Sequence, residues 1–382
     1  MPQSEFVYNE LVIPELPFSS PLTDLVIELD RFRRDQVQGT THPVLFNQLK
    51  QVFHIIESIG SARIEGNNTT IAEFIETRLD KQSDISSGVR EILNIEKAMA
   101  FIEDQKDTLV FNKDLIIRLY EMITEGLPSE IGVELRGQYR RNDVRITGVE
   151  HVPPDSQKVD EYMNGLLHFI NQKDPPKYDL LRTAIAHHRF VWIHPFNDGN
   201  GRTVRMLTYA MLIKYGFGSV AGRIINPTAI FCNDRKAYYR GLAEADSGTT
   251  EGILNWCLYV LKGLKKEMEK IDLLMDYTFI KKELLLPAIS FSKERQIITG
   301  LEAEILKTAV EKQLIQAADI REYFAGKDNA IISRQIKKLL DKQMLVPEKD
   351  GARKYLICFN NSYLLRGIIK SLGDRGFLPL RD

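Results

Sequence analysis

His194-Pro-Phe-Asn-Asp-Gly-Asn-Gly-Arg-Thr-Val-Arg205 gathers an imidazole, a carboxylate, a glycine-rich turn and two guanidinium groups into one short stretch. Glycines at 199 and 201 let backbone N–H groups approach an anion closely. The apolar, helix-like run Met206 to Ile213 behind them adds the partial positive charge of a helix start. Arg202 and Arg205 are three apart and project from one side of a first helical turn. Asp198 offers carboxylate oxygen to a hydrated divalent cation such as Mg²⁺. His194, whose ordinary pKa is about 6.5, is the general-base candidate. The stretch reads as a phosphate cradle with a base at its mouth.

Upstream, apolar residues recur at helical spacing almost throughout. Residues 1 to about 22 form a proline-bearing arm, followed by a helix over Leu22 to Arg34. A second helix covers Pro43 to Ile64 and stops at Gly66-Asn67-Asn68. Its end carries Ser61-Ala-Arg-Ile-Glu65-Gly66, where Ser61 and Glu65, four apart, share a face. That spacing alone suits a solvated serine and a surface carboxylate. A glutamate near a helix C-terminus also opposes the helix dipole, which makes an arginine partner attractive. Thr69 or Thr70 caps the next helix, and others are expected at about 88–104 and 112–125, the latter behind an Asn112 cap. From Gly137 to Pro154 the pattern changes: β-branched residues alternate with polar ones around Gly148, which predicts a short β-hairpin at about 144–152. Helices at 155–172 and 178–192 follow. His187 and His188, in the second, fit packed residues better than zinc ligands, for no His/Cys metal spacing accompanies them.

Downstream, a helix spans 235–246, where Tyr238 and Tyr239 suit a core more than a stacking platform. A long amphipathic helix runs over about 250–276, and residues 277–293 with Pro287 read as a connector. Helices at about 301–312, 316–325 and 329–342, strands at 344–348 and 353–359 and a last helix at 361–372 outline a winged helix-turn-helix domain. From Lys293 onward there are 17 basic and 12 acidic residues. Arg334, Lys337, Lys338 and Lys342 lie on the candidate recognition helix, a charge equally suited to DNA contact, dimerisation or docking. The expected division is an arm and helix at 1–44, a helical domain at 45–276, the connector, and the winged-helix domain at 294–382.

A net charge of −1 argues against a chain built mainly to coat nucleic acid or anionic lipid. The three cysteines, Cys232, Cys257 and Cys358, are far apart and suit reduced, buried thiols. No run reaches the roughly 18 apolar residues of a membrane span, and Met1 to Glu10 lacks signal-peptide character. A cytoplasmic protein with no membrane partner is expected.

The stretch 194–205 resembles the Fic motif, HPFx(D/E)GNGRxxR, at every specified position, and Ser61–Gly66 resembles the family's inhibitory motif, (S/T)xxxE(G/N). The resemblance covers about residues 45 to 250. It implies an all-α Fic core with a β-hairpin flap and an inhibitory helix at about 49–65, which transfers AMP from ATP to a Tyr, Thr or Ser hydroxyl. It also implies that His194 deprotonates that hydroxyl and that Asp198 holds Mg²⁺. Gly199, Asn200 and Gly201 then form an anion hole, with Arg202 nearer the β- and Arg205 nearer the γ-phosphate. The nucleotide-binding set extends to Thr203, Val204, Tyr238 and Tyr239, and loosely to Asp246. The flap residues Gly148, Val149, Glu150 and His151 would pair with the target segment. Glu65, with Ser61, would occupy Arg205 in the resting state, and a homodimer is expected. Two competing readings are a DNA-binding regulator that senses ATP, and a Fic enzyme that removes AMP or transfers another group.

Overall fold

The computed structural model describes residues 8–34, 39–80, 85–128, 137–146, 149–217, 227–326 and 328–378. Side-chain caps set where several helices begin. In chain order these are α1 (Pro21–Arg34), α2 (Pro43–Ile64), α3 (Ile71–Asp80), α4 (Ser87–Asp104) and α5 (Lys113–Thr124). Then come α6 (Val159–Ile170), α7 (Asp179–Ile193), α8 (Asn200–Leu212), α9 (Pro227–Cys232), α10 (Arg235–Asp246) and α11 (Thr250–Leu273). The chain continues through α12 (Tyr277–Phe279), α13 (Leu286–Glu294), α14 (Gly300–Lys312), α15 (Asn329–Asp341) and α16 (Leu365–Asp374). Asn112 Oδ1 accepts from Leu115 N at 2.9 Å and starts α5, and Asp234 Oδ1 does the same for Ala237 N at α10. Thr70, rather than Thr69, caps α3 by accepting from Glu73 N.

The described residues divide into two compact units, neither a single run of chain. One comprises Met1–Gln36, Glu57–Thr69 and Ser83–Glu269; the other Val37–Ile56, Thr70–Gln82 and Lys270–Asp382. In the first, α7 and α8 pack on one another, and nearly every residue of both is buried. Such burial requires partners for the polar side chains of α7. Thr183 Oγ1 donates to Asp179 O, Arg182 pairs with Asp174, and Arg189 donates to Asn9 O. Trp256 on α11 donates Nε1–H to Ala184 O at 2.6 Å and closes the core from the other side.

The second unit holds the one sheet among the described residues, β1 (Leu345–Pro347) antiparallel to β2 (Tyr355–Ile357), in register Leu345↔Ile357. Gln48 on the first part of α2 is buried there, donating to Ile357 O at 3.0 Å and accepting from Phe359 N at 2.8 Å. No helix among the described residues is long and apolar enough to cross a membrane. Cys232 and Cys257 are buried free thiols and Cys358 a half-buried one.

Several expectations need correction. Among the described residues of the expected hairpin at 144–152 no strand is present, and its turn at Gly148 lies outside them. Two side chains here are engaged with neighbouring segments: Asp143 Oδ1 accepts from Ser156 N and His151 Nε2 meets Trp192 O. The presumed connector 277–293 is helical, with a widened turn at Ile280–Leu285 and Pro287 in the first turn of α13, where a missing N–H is tolerated. Residues Ala317–Phe324 form a 3₁₀-helix, and the last helix starts at Leu365 because Asn361 Oδ1 takes the Tyr363 and Leu364 amides. The helix behind the glycines begins at Asn200, not Met206.

Asn112→Ala should lower stability by about 1 kcal/mol through loss of the α5 cap. Urea denaturation checks this: the midpoint should fall with an unchanged slope, and an unchanged midpoint would remove the cap from this account.

Candidate active site

The site is built where α7 stops and α8 starts. Residue 194 is the C-cap of α7 in the left-handed region, φ 52° and ψ 61°, with its amide still bonded to Phe190 O. Its Nδ1 lies 3.3 Å from Val191 O; a carbonyl only accepts, so the proton sits on Nδ1 and Nε2 keeps the lone pair. Burial pulls the ring's pKa down to about 4. The bond to Val191 O and the charge of Glu65 oppose that fall, and Arg140 and His151 add to it. The imidazole is neutral at neutral pH.

The loop that follows is locked by aromatic and amide contacts. Phe196 is buried and stacks on Tyr120 at 3.9 Å between centroids, nearly parallel. Asn200 accepts from Phe196 N at 2.9 Å and donates to Phe196 O at 2.7 Å. Its side chain thus closes the loop, and only its backbone amide is directed to an incoming anion. Gly199, at φ 77°, is the N-cap of α8 and has no side chain to satisfy the first-turn amides, which leaves an anion site.

Three carboxylates meet the two arginines. Arg205 is about 1% exposed; its Nε donates to Ser61 Oγ at 2.8 Å, and NH2 to Ser61 O at 3.0 Å and to Glu65 Oε1 at 2.8 Å. NH1 is buried and has no partner among the described residues. Arg202 donates to Glu91 Oε1 at 2.9 Å and lies 3.2 Å from Asp198 Oδ2. Asn67, just past the end of α2, donates to Glu91 Oε2 at 2.7 Å. A Cβ at Gly201 would stand 2.1 Å from Glu65 Oε1, so only glycine admits the carboxylate there. Asp198 is 71% exposed and accepts from Gly199 N.

A cavity of about 130 Å³ opens beside these groups, bounded by Glu65, His194, Gly201, Tyr238, Tyr239 and Asp246. Tyr238 is buried, its hydroxyl 3.0 Å from His187 Nε2, and His187 Nδ1 meets Thr208 Oγ1 at 2.8 Å. His188 Nε2 holds Asp246 at 2.9 Å. Tyr239 is 37% exposed and only its neighbour is core.

Of the residues singled out in the sequence, His194, Asn200, Gly201, Glu65, Val149, His151 and the tyrosines line this cavity. Ser61 is bonded to Arg205, and neither is among the lining residues. Thr203 and Val204 face the core instead: Thr203 Oγ1 donates to Gly199 O and Val204 is fully buried. Glu150 is exposed and not among the lining residues, and Gly148 lies outside the described residues. Sequence reasoning missed Glu91, Asn67, Tyr120 and Arg140. Their spacing from the loop carries no signal, though Asn67 stands two residues after Glu65.

Residues 110–212 match the Fic/DOC family. The protein adenylyltransferase Fic of Nematostella vectensis is 30% identical over 195 residues, 49% of this chain and 42% of the relative. That of Aedes aegypti is 33% identical over 205 residues, 51% of this chain and 37% of the relative. The alignments thus span less than half the length of these relatives. The fold is similar to a crystal structure of a Fic family protein from Desulfovibrio desulfuricans, with a TM-score of 0.55, 19% identity and coverage of 90% of this chain and 98% of the other. It is also similar to a Fic domain containing signaling protein from Bacteroides thetaiotaomicron, with a TM-score of 0.53, 17% identity and coverage of 66% and 97%. The matched span 110–212 contains the whole loop from His194 to Arg205 but neither Glu65 nor Tyr238, and over it the chain is similar to the Fic/DOC family.

Proposed function

We propose that this chain is a protein adenylyltransferase that moves AMP from ATP to a Tyr, Thr or Ser hydroxyl of a target protein and of itself, and that Glu65 holds it back. The observation that carries the reading is the neutral His194 ring with its Nε2 free, set beside the uncapped start of α8. In the step we envisage, Nε2 takes the hydroxyl proton as the hydroxyl oxygen bonds to the α-phosphorus. The bond from that phosphorus to its bridging oxygen breaks, and pyrophosphate leaves. A base with a depressed pKa is a weak one, so placement and charge neutralisation supply most of the rate.

The amides of Gly199, Asn200 and Gly201 would receive the inner phosphates, Arg202 the β- and Arg205 the γ-phosphate, with the adenosine in the cavity beside Tyr238 and Tyr239. Asp198 suits Mg²⁺: its carboxylate is largely open to solvent, and one carboxylate with phosphate oxygens and water is a usual shell for that ion. Bound there, the ion would neutralise phosphate charge. Arg205 cannot serve Glu65 and a γ-phosphate in one geometry, and this competition is the proposed inhibition.

Residues 294–382 we read as a winged helix, with α15 in the recognition position and β1–β2 as the wing. The competing regulator reading draws on the charge of α15. Lys342, the C-cap of α15, donates to Glu302 at 2.7 Å; Lys338 lies 3.9 Å from the same carboxylate but is exposed, as are Arg334 and Lys337. One of the four cations is thus paired with a buried carboxylate inside the unit, and the enzyme reading, which draws on the site's geometry, is the stronger one.

His194→Ala should lower AMP transfer by about 10²- to 10⁴-fold while calorimetry shows ATP affinity within twofold; retained transfer would end the base assignment. Glu65→Gly should raise self-modification at least tenfold, read from labelled ATP and from the mass added to the protein. A flat or lower signal refutes the inhibition, and an increment other than AMP refutes the donor. The lowered pKa of His194 has a stability consequence. The unfolded ring takes a proton near pH 6.5 and the folded ring only near 4, so stability falls as pH drops through that window. Denaturation at pH 7 and pH 4.5 should show a smaller acid loss in His194→Gln than in the parent.

A further inference from the structure

We infer that Arg140 is a positioning residue of this site: one guanidinium fixes the backbone of His194 and ties both ends of the 142–154 segment to it. The side chain is completely buried. Nε donates to His194 O at 2.8 Å, NH1 to Asn142 O at 3.0 Å, and NH2 to Pro154 O and, at 3.4 Å, to Ile193 O. The backbone joins in, Arg140 N donating to Pro195 O at 2.8 Å. The nearest carboxylate, Asp143, is 3.8 Å away and 71% exposed. The charge is therefore set almost wholly against carbonyls, and two of these are at the end of α7, where carbonyls lack helical partners and the helix dipole is negative.

The need for such a group follows from His194 itself. A left-handed residue after a helix is by default glycine, and any other side chain is strained there. Chemistry requires an imidazole at this point, so neighbouring bonds have to hold the conformation. Arg140 grips residues 193, 194 and 195 and thereby sets the direction in which the ring leaves the backbone. The same guanidinium holds Asn142 and Pro154, and Val149 and His151, which lie between these two in the chain, line the cavity with His194. A lysine is a single point charge with three donors and does not reach four carbonyls spread around a planar fork. The titratable groups facing the His194 ring are Arg140, Glu65 just past the end of α2, and His151.

This inference rests on the adenylyltransferase reading for what the ring acts on, and the test separates the two. Arg140→Lys and Arg140→Met are made in the full chain, alone and with Glu65→Gly. Three quantities are measured: ATP affinity with Mg²⁺, kcat and KM for self-transfer, and the NMR titration of the His194 ring, assigned with His194→Gln. Expected are an ATP Kd within threefold of the parent, a kcat at least thirtyfold lower in both variants, and displaced His194 ring signals. In Arg140→Met the ring should titrate at higher pH, since a neighbouring cation is gone, whereas Arg140→Lys retains that charge and should shift less. A kcat within threefold of the parent, or kcat and ATP affinity falling by one common factor, would overturn the inference. Failure of the conservative lysine variant to fold would also overturn it, by marking Arg140 as general support. Should the Glu65→Gly parent transfer nothing, the adenylyltransferase reading fails, and the ring titration still decides: unmoved His194 signals in both variants would refute the positioning role.

Discussion

A guanidinium that has left water must be ringed by oxygens, and Arg205, about 1% exposed, imposes that condition on everything around it. Ser61 answers with its hydroxyl and its carbonyl and Glu65 with a carboxylate, so the end of α2 has to lie against α8. Gly201 has to be glycine for the same reason, because a methyl group there would overlap Glu65. Here the carboxylate and, in the proposed reaction, the phosphate demand the same space, so one residue choice serves the resting state and the nucleotide-bound one.

The other end of the loop obeys a second condition. α7 is buried around its whole circumference, so its histidines have no water to turn to. His187 spans Thr208 and Tyr238, and His188 takes Asp246, which fixes two groups that border the cavity. Burial drives both rings towards the neutral form, for His187 strongly and with Arg205 adding to it. The helix thus presents a set of neutral imidazoles: two give the cavity wall its geometry, and the third, His194, stands at the opening with its lone pair unspent.

What the sequence made legible is what depends on local order along the chain. Helical periodicity marked α1, α2, α4 and α5 closely, and Asn112 marked the start of α5, because a cap is a local hydrogen bond. The loop 194–205 was legible because its residues lie close together in the chain and in space. Glu91, Asn67 and Arg140 were not, since each meets the loop across a fold whose packing no spacing encodes. Pro287 misled because a proline that ends one pattern can equally begin a helix, and the widened turn at Ile280–Leu285 supplies the offset that lets it do so. Alternation around Gly148 is not matched by a strand among the described residues, and the flanking carbonyls of Asn142 and Pro154 accept instead from Arg140.

The two arginines of the loop differ in a way that bears on how the site opens. Arg202 is held by Asp198, which is 71% exposed, and such an ion pair is worth roughly 0–1 kcal/mol. Its second partner, Glu91, is more enclosed, yet it takes NH1 and leaves NH2 facing Asp198. A phosphate can therefore reach NH2 at little cost. Arg205 is buried with Glu65 only one-third exposed, and removing one member of a buried pair costs about 3–5 kcal/mol unless another anion takes its place. On the proposed reading, a triphosphate meets little resistance at the Arg202 end and a substantial barrier at the Arg205 end. The γ-phosphate is the group with the charge to replace Glu65, but it has to arrive as the carboxylate leaves. Inhibition of this kind acts on the geometry of bound nucleotide more than on its affinity, because the inner phosphates and the adenosine contacts are untouched by the exchange.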